Sequence, residues 1–156
     1  MSETTYTQRL AQIKDELNIK SNQITKVLTE LVNKLQPHIP PIEVTDEHEI
    51  IIRCWRDGSM SRCKWCKWAI TRQFDEFKLV LRCNADYTGA RDWEEEPAQV
   101  IEKLKKEKRY KVIHALARRL IEFLARAVDE AEKQASEIDE TLTKLRVVLV
   151  VISKGE

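Results

Sequence analysis

Cys66-Lys-Trp-Ala-Ile-Thr-Arg-Gln-Phe-Asp-Glu-Phe-Lys-Leu-Val-Leu-Arg-Cys83 alternates apolar and polar side chains, and the alternation changes phase once. Cys66, Trp68, Ile70 and Phe74 hold the even positions, with Arg72 among them; beyond Asp75-Glu76 the apolar set becomes Phe77, Leu79, Leu81 and Cys83. Successive strand residues face opposite sides of a sheet, so a phase flip across two polar residues predicts a hairpin. Closing it at 75–76 pairs Phe74 with Phe77, Arg72 with Leu79, Ile70 with Leu81 and Trp68 with Cys83. Upstream, Ile50, Ile52 and Cys54 alternate with Ile51, Arg53 and Trp55, and Asp57-Gly58 signals another turn. The stretch 49–85 therefore reads as a three-stranded antiparallel meander.

Both flanks read as helix. Over 5–36, Leu10, Leu17, Ile24 and Leu31 recur every seventh residue, with Ile13, Val27, Leu28 and Leu35 between them, as in a coiled coil or a helix lying on a core. Lys20 interrupts the stripe, so a break is expected around Asn18–Asn22, and Pro37, Pro40 and Pro41 end the segment. After a polar loop at Asn84–Arg91, Glu94-Glu95-Glu96-Pro97 reads as a helix start. Helical spacing then runs from Ile101 to Leu145, with breaks expected at Glu107–Arg109 and near Ser136. An unbroken helix over 97–152 would reach ~84 Å at 1.5 Å per residue. It must fold back or pair with another chain. The apolar run at 146–152 reads as the end of this helical region, with a fourth strand as the alternative. The fold class is α+β, in a single domain over 1–156.

Composition bounds the function. Of 156 residues, 42% are hydrophobic and 34% charged, which excludes a chain disordered for want of apolar residues. Three glycines and four prolines are too few for an all-β fold with many tight turns. Net charge is +1, but residues 51–82 carry eight basic and three acidic side chains together with three of the four tryptophans. The first residues lack the pattern of a secretory signal, and the longest apolar run is far short of the roughly 20 residues that span a bilayer. A cytoplasmic protein with no membrane association and reduced thiols is the expectation.

Cys54, Cys63, Cys66 and Cys83 invite a zinc reading, because four thiolates hold zinc tetrahedrally and Cys63-Lys-Trp-Cys66 has the two-residue spacing of half a structural site. The second half is missing. Residues three apart on a strand face opposite sides, and the register above sets Cys66, Cys83 and Cys54 on the apolar face. Core packing as small hydrophobes is thus the leading reading, ahead of zinc, with disulfides behind both. The opposite face would display Arg53 and Trp55, then Trp65 and Lys67, then Lys78 and Arg82. Rings interleaved with cations suit stacked bases and phosphates, but the leading reading is that a long helix covers this face, with the tryptophans in the core, or that it is a protein interface.

His38, His48 and His114 lie far apart in sequence, and the glycines form no phosphate loop. The sequence therefore points away from an enzyme. It favours a non-catalytic binding or adaptor protein that self-associates through long helices, or docks a helical partner. A nucleic-acid binder using the basic tryptophan face is the alternative, and a zinc-stabilised module a weaker one. No cofactor other than that zinc is implied.

Overall fold

A computed structural model describes residues 3–86 and 91–155. Helix α1 spans Glu3–Leu35 and ends in a 3-10 turn, Gln36–His38, where Pro37 removes a backbone donor. Strands β1 (Val44–Thr45), β2 (Ile50–Asp57), β3 (Met60–Gln73), β4 (Glu76–Ala85) and β5 (Trp93–Glu95) follow, then α2 (Pro97–Lys106) and α3 (Tyr110–Gly155). The sheet is antiparallel throughout. β3 is central, with β4 and then β5 on one side; β2 and β1 share the other side, against successive parts of β3.

The α+β class and the β2–β3–β4 meander agree with the sequence reading. The short strands β1 and β5 were not foreseen, since two or three residues carry no period. Glu94 and Glu95 lie in β5, so the helix begins only at Pro97, with Glu96 extended before it. Of the loop read at Asn84–Arg91, Asn84 and Ala85 belong to β4, and residues 87–90 lie outside the described residues. The break at Glu107–Arg109 is present, with Lys108 at φ 54° turning the chain. Two expected breaks are absent. α1 runs through Asn18–Asn22, where Lys20 pairs with Glu16 one turn earlier at 2.6 Å, and α3 runs through Ser136. The run 146–152 is helix, not a strand.

The helices cover one face of the sheet. Cys66, Trp68 and Ile70 of β3, Leu79, Leu81 and Cys83 of β4, and Ile50 and Ile52 of β2 point into the core. They meet Leu28 and Val32 of α1, Ile101 and Leu104 of α2, and Ile113, Leu116, Leu120 and Phe123 of α3. Trp68 is fully buried, and its indole N–H donates to the Leu116 carbonyl at 2.9 Å, satisfying the one polar atom such burial would orphan.

The β3–β4 register differs from expectation by two residues. Gln73 faces Glu76, Ile70 faces Leu79 and Cys66 faces Cys83, so the turn residues are Phe74-Asp75. A shift of two preserves every face assignment, which is why the core side was read correctly from the wrong pairing. Phe74 sits at φ 56° and is 95% exposed. A left-handed conformation costs a side chain with a Cβ about 1–2 kcal/mol. Phe74→Gly is expected to raise the denaturation midpoint by an amount equivalent to ~1 kcal/mol, because no packing is lost there. An unchanged or lowered midpoint would show that Phe74 makes stabilising contacts.

A buried carboxylate ties α3 to the sheet. The Asp46 side chain is inaccessible; Arg119 donates to its two oxygens at 2.6 and 3.1 Å, and Arg126 approaches at 3.5 Å. The Asp46 amide donates to the Trp68 carbonyl at 2.8 Å, so the anchor is also locked to β3. Hydrogen bonding to Asp46 outweighs burial and pushes the Arg119 pKa up.

Candidate functional site

The six residues read as one basic platform divide between two faces. β2 pairs Ile51 with Trp65 and then Arg53 with Lys64, leaving Ile52 as an extra residue, a β-bulge. Beyond the bulge the faces exchange. Arg53 and Trp55 turn to the helix side, opposite Lys64 and Arg62, and Cys54 turns to the outer side, opposite Cys63. A bulge frees backbone groups from the ladder, and here Arg109 donates to the Ile52 carbonyl at 2.7 Å. Three consecutive isoleucines at 50–52 gave no sign of it: two fill the core, and alternation alone would have continued through Cys54.

Trp65, Lys67, Lys78 and Arg82 do share the outer face, but the cations there have acidic neighbours. Lys67 lies 3.9 Å from Glu49, Lys78 3.7 Å from Glu76, and Arg82 3.6 Å from Glu94, with a hydrogen bond to the Thr45 hydroxyl at 3.2 Å. Glu94 comes from β5 and was not anticipated. Burial raises its pKa, but the Gln73 amide at 2.6 Å and the Arg82 guanidinium outweigh that cost and hold it below the usual carboxylate value. The result is a knit polar surface and not a bare cationic platform.

On the helix side, Arg53 reaches Glu107 at 2.6 Å, and Glu107 also pairs with Arg109 at 3.2 Å. This pair places the basic run Lys103–Lys111, at the corner between α2 and α3, beside the strand that carries half-buried Trp55.

All four cysteines are paired. Cys54 bonds Cys63 across β2–β3 and Cys66 bonds Cys83 across β3–β4, with Cα separations of 4.0 and 4.1 Å, near the ~4.5 Å of narrow antiparallel pairs. Cys66 and Cys83 occupy the core face as expected, but as a disulfide; Cys54 does not join them, because of the bulge. A Glu95 carboxylate oxygen lies within 4.8 Å of both buried sulfurs. Sulfurs bonded to one another are not thiolate ligands, so the zinc reading loses its ligands. Access separates the two bonds: Cys54 is exposed, whereas Cys66 and Cys83 are wholly buried. A mild reductant is expected to open Cys54–Cys63 and leave Cys66–Cys83 intact, read by alkylation and mass spectrometry of the native protein. Simultaneous loss of both would contradict the protection the core affords.

The remaining feature is a seam. From Ala117, apolar residues follow steps of four and three without exception: Ile121, Leu124, Val128, Ala131, Ala135, Ile138, Leu142, Leu145, Leu149 and Ile152. These are the a and d positions of a heptad repeat, with Ile121, Val128, Ala135, Leu142 and Leu149 at a. Up to Ala131 the helix lies on the domain, and Leu124 and Ala131 pack against its core. Beyond Gln134 every described residue is exposed, Leu145 by 60% and Leu149 by 63%. α1 repeats the pattern at its free end, where Tyr6, Leu10, Ile13 and Leu17 are exposed. Its stripe continues into an apolar groove of ≈ 410 Å³, where Ile24, Val27 and Leu31 face Ala117 and Ile121. Both stripes are legible in the periodicity; which parts the domain leaves uncovered is not.

Among the described residues no helix is long and apolar enough to cross a membrane. Comparison with protein-family models, with curated proteins and with solved structures finds no match to this chain.

Proposed function

We propose that this is a non-catalytic binding or adaptor protein that self-associates through the seam of α3. The unbroken a/d succession from Ala117 to Ile152 carries the reading. Surface area supports it. The chain exposes 11452 Å², whereas a compact monomer of its 18.3 kDa mass exposes about 8,100 Å². The excess of roughly 3,300 Å² on that scaling is several times the ~800 Å² each partner gives a standard interface. Helix propensity points the same way. Val147, Val148, Val150 and Val151 are β-branched and exposed, and an isolated helix of such residues is marginal in water without a packed face. Sedimentation velocity over a wide concentration range tests the proposal, and a strict monomer at the highest concentration refutes it.

A second reading, nucleic-acid binding, is favoured by the Arg53–Glu107 pair, which brings the corner that carries Lys105, Lys106 and Lys108 against β2, the strand of Trp55. Single-stranded DNA should then bind with an affinity that falls steeply with salt, and Lys105→Glu with Lys108→Glu should flatten that dependence. Salt-insensitive or undetectable binding removes it. As to location, two disulfides favour an oxidising compartment over the cytoplasm expected from the sequence.

A further inference from the structure

We infer that the assembly formed by α3 contains three or four copies of the chain, not two; this rests on the self-association proposed above. The free part of the seam places Ala135, Leu142 and Leu149 at a, and Ile138, Leu145 and Ile152 at d. In parallel bundles the shape of these side chains sets the number of strands. Isoleucine or valine at a with leucine at d suits two helices, whereas leucine at a with isoleucine at d shifts the preference to trimers and tetramers. Of the three a positions in the free part, two are leucine and the third is the small Ala135, and two of the three d positions are isoleucine.

Upstream, Ile121 and Val128 at a belong to the two-stranded pattern. There, however, the d positions Leu124 and Ala131 are already engaged with the chain's own core. The part that is free to pack on copies decides the number of strands. Of the flanking positions, e carries charge at Glu132, Asp139 and Arg146, whereas g does not. Val148 occupies g and is 53% exposed, and Gln134 and Thr141, the preceding g residues, are uncharged. In a two-stranded coil g lies at the margin and typically carries a charge that pairs across the interface. An apolar g widens the seam toward a second neighbour. Val147, at f, faces outward in either assembly and does not discriminate.

The test is sedimentation equilibrium of the full chain, alongside a variant that exchanges the packing rule: Ile138→Leu, Leu142→Ile, Leu149→Ile and Ile152→Leu. These substitutions keep hydrophobicity and volume nearly constant and lie outside the domain, so the fold is not at risk. The parent is expected at three or four times the chain mass, and the variant at twice. A parent dimer overturns this inference and leaves self-association standing. A parent monomer overturns both. A trimer or tetramer whose mass is unmoved by the exchange shows that a and d shape does not set the number, and that too overturns the inference.

Discussion

Leu142→Asp combined with Leu145→Asp is expected to yield monomers at concentrations where the proposed self-association holds copies of the parent chain together. The two side chains are adjacent a and d residues of the free seam, exposed by 40% and 60% in the single chain, so the substitutions cost the isolated protein little. In the proposed assembly they replace two buried leucines, each worth about 1.5–3 kcal/mol on burial, and set carboxylates into an apolar seam. Loss of the hydrophobic term alone raises the dissociation constant by at least ~100-fold, since each 1.4 kcal/mol is a factor of ten. Sedimentation velocity reads the mass. Tryptophan fluorescence reads the domain, because Trp68 is buried far along the chain from the substituted turn. An associated variant, or a monomer with a perturbed Trp68 signal, counts against a seam that acts independently of the domain.

Asp46→Ala destabilises the domain by about 3 kcal/mol, measured as a shift of the denaturant midpoint. Removing one partner of a buried pair typically costs 3–5 kcal/mol, because the other charge is left without compensation. The lower end applies, since the Arg119 side chain is 20% exposed and keeps Glu122 as a partner. Arg126→Ala should cost under about 1 kcal/mol, because its side chain is 42% exposed and water screens the pair. Asp46→Asn should fall between, keeping part of the hydrogen bonding and none of the charge. A loss below ~1 kcal/mol for Asp46→Ala would mean that packing, and not this pair, fixes α3 on the sheet.

What was legible followed from periodicity. Period two over 50–85 and period 3.6 or 3.5 on either side gave the α+β class, the meander and the helical flanks. The core face survived even a register error of two residues at Phe74-Asp75, because parity is what alternation encodes. The breaks expected at Asn18–Asn22 and Ser136 do not form. A polar residue on an apolar stripe ends no helix when a neighbour one turn away pairs with it, as Glu16 does with Lys20, or when the face is open to solvent, as at Ser136.

The basic tryptophan face shows the boundary. Counting in twos puts all six residues on one surface, but one extra residue, Ile52, moves Arg53 and Trp55 to the other side. The same bulge carried Cys54 away from the core and opposite Cys63. Nothing local announces a bulge within Ile50-Ile51-Ile52; the freed carbonyl finds its donor in Arg109, 57 residues later.

By itself, then, the Cys66–Cys83 stretch determined that a hairpin exists, which of its sides is apolar, and that the apolar side carries two cysteines. Side-chain alternation is a local property, and the chain cannot conceal it. Only the tertiary structure decided that those cysteines face each other as a disulfide, that the cations divide between two faces, and that the helical stripes extend past the sheet that buries their inner halves. Those outcomes depend on register, bulge and layer length, which are set by contacts between residues distant in sequence.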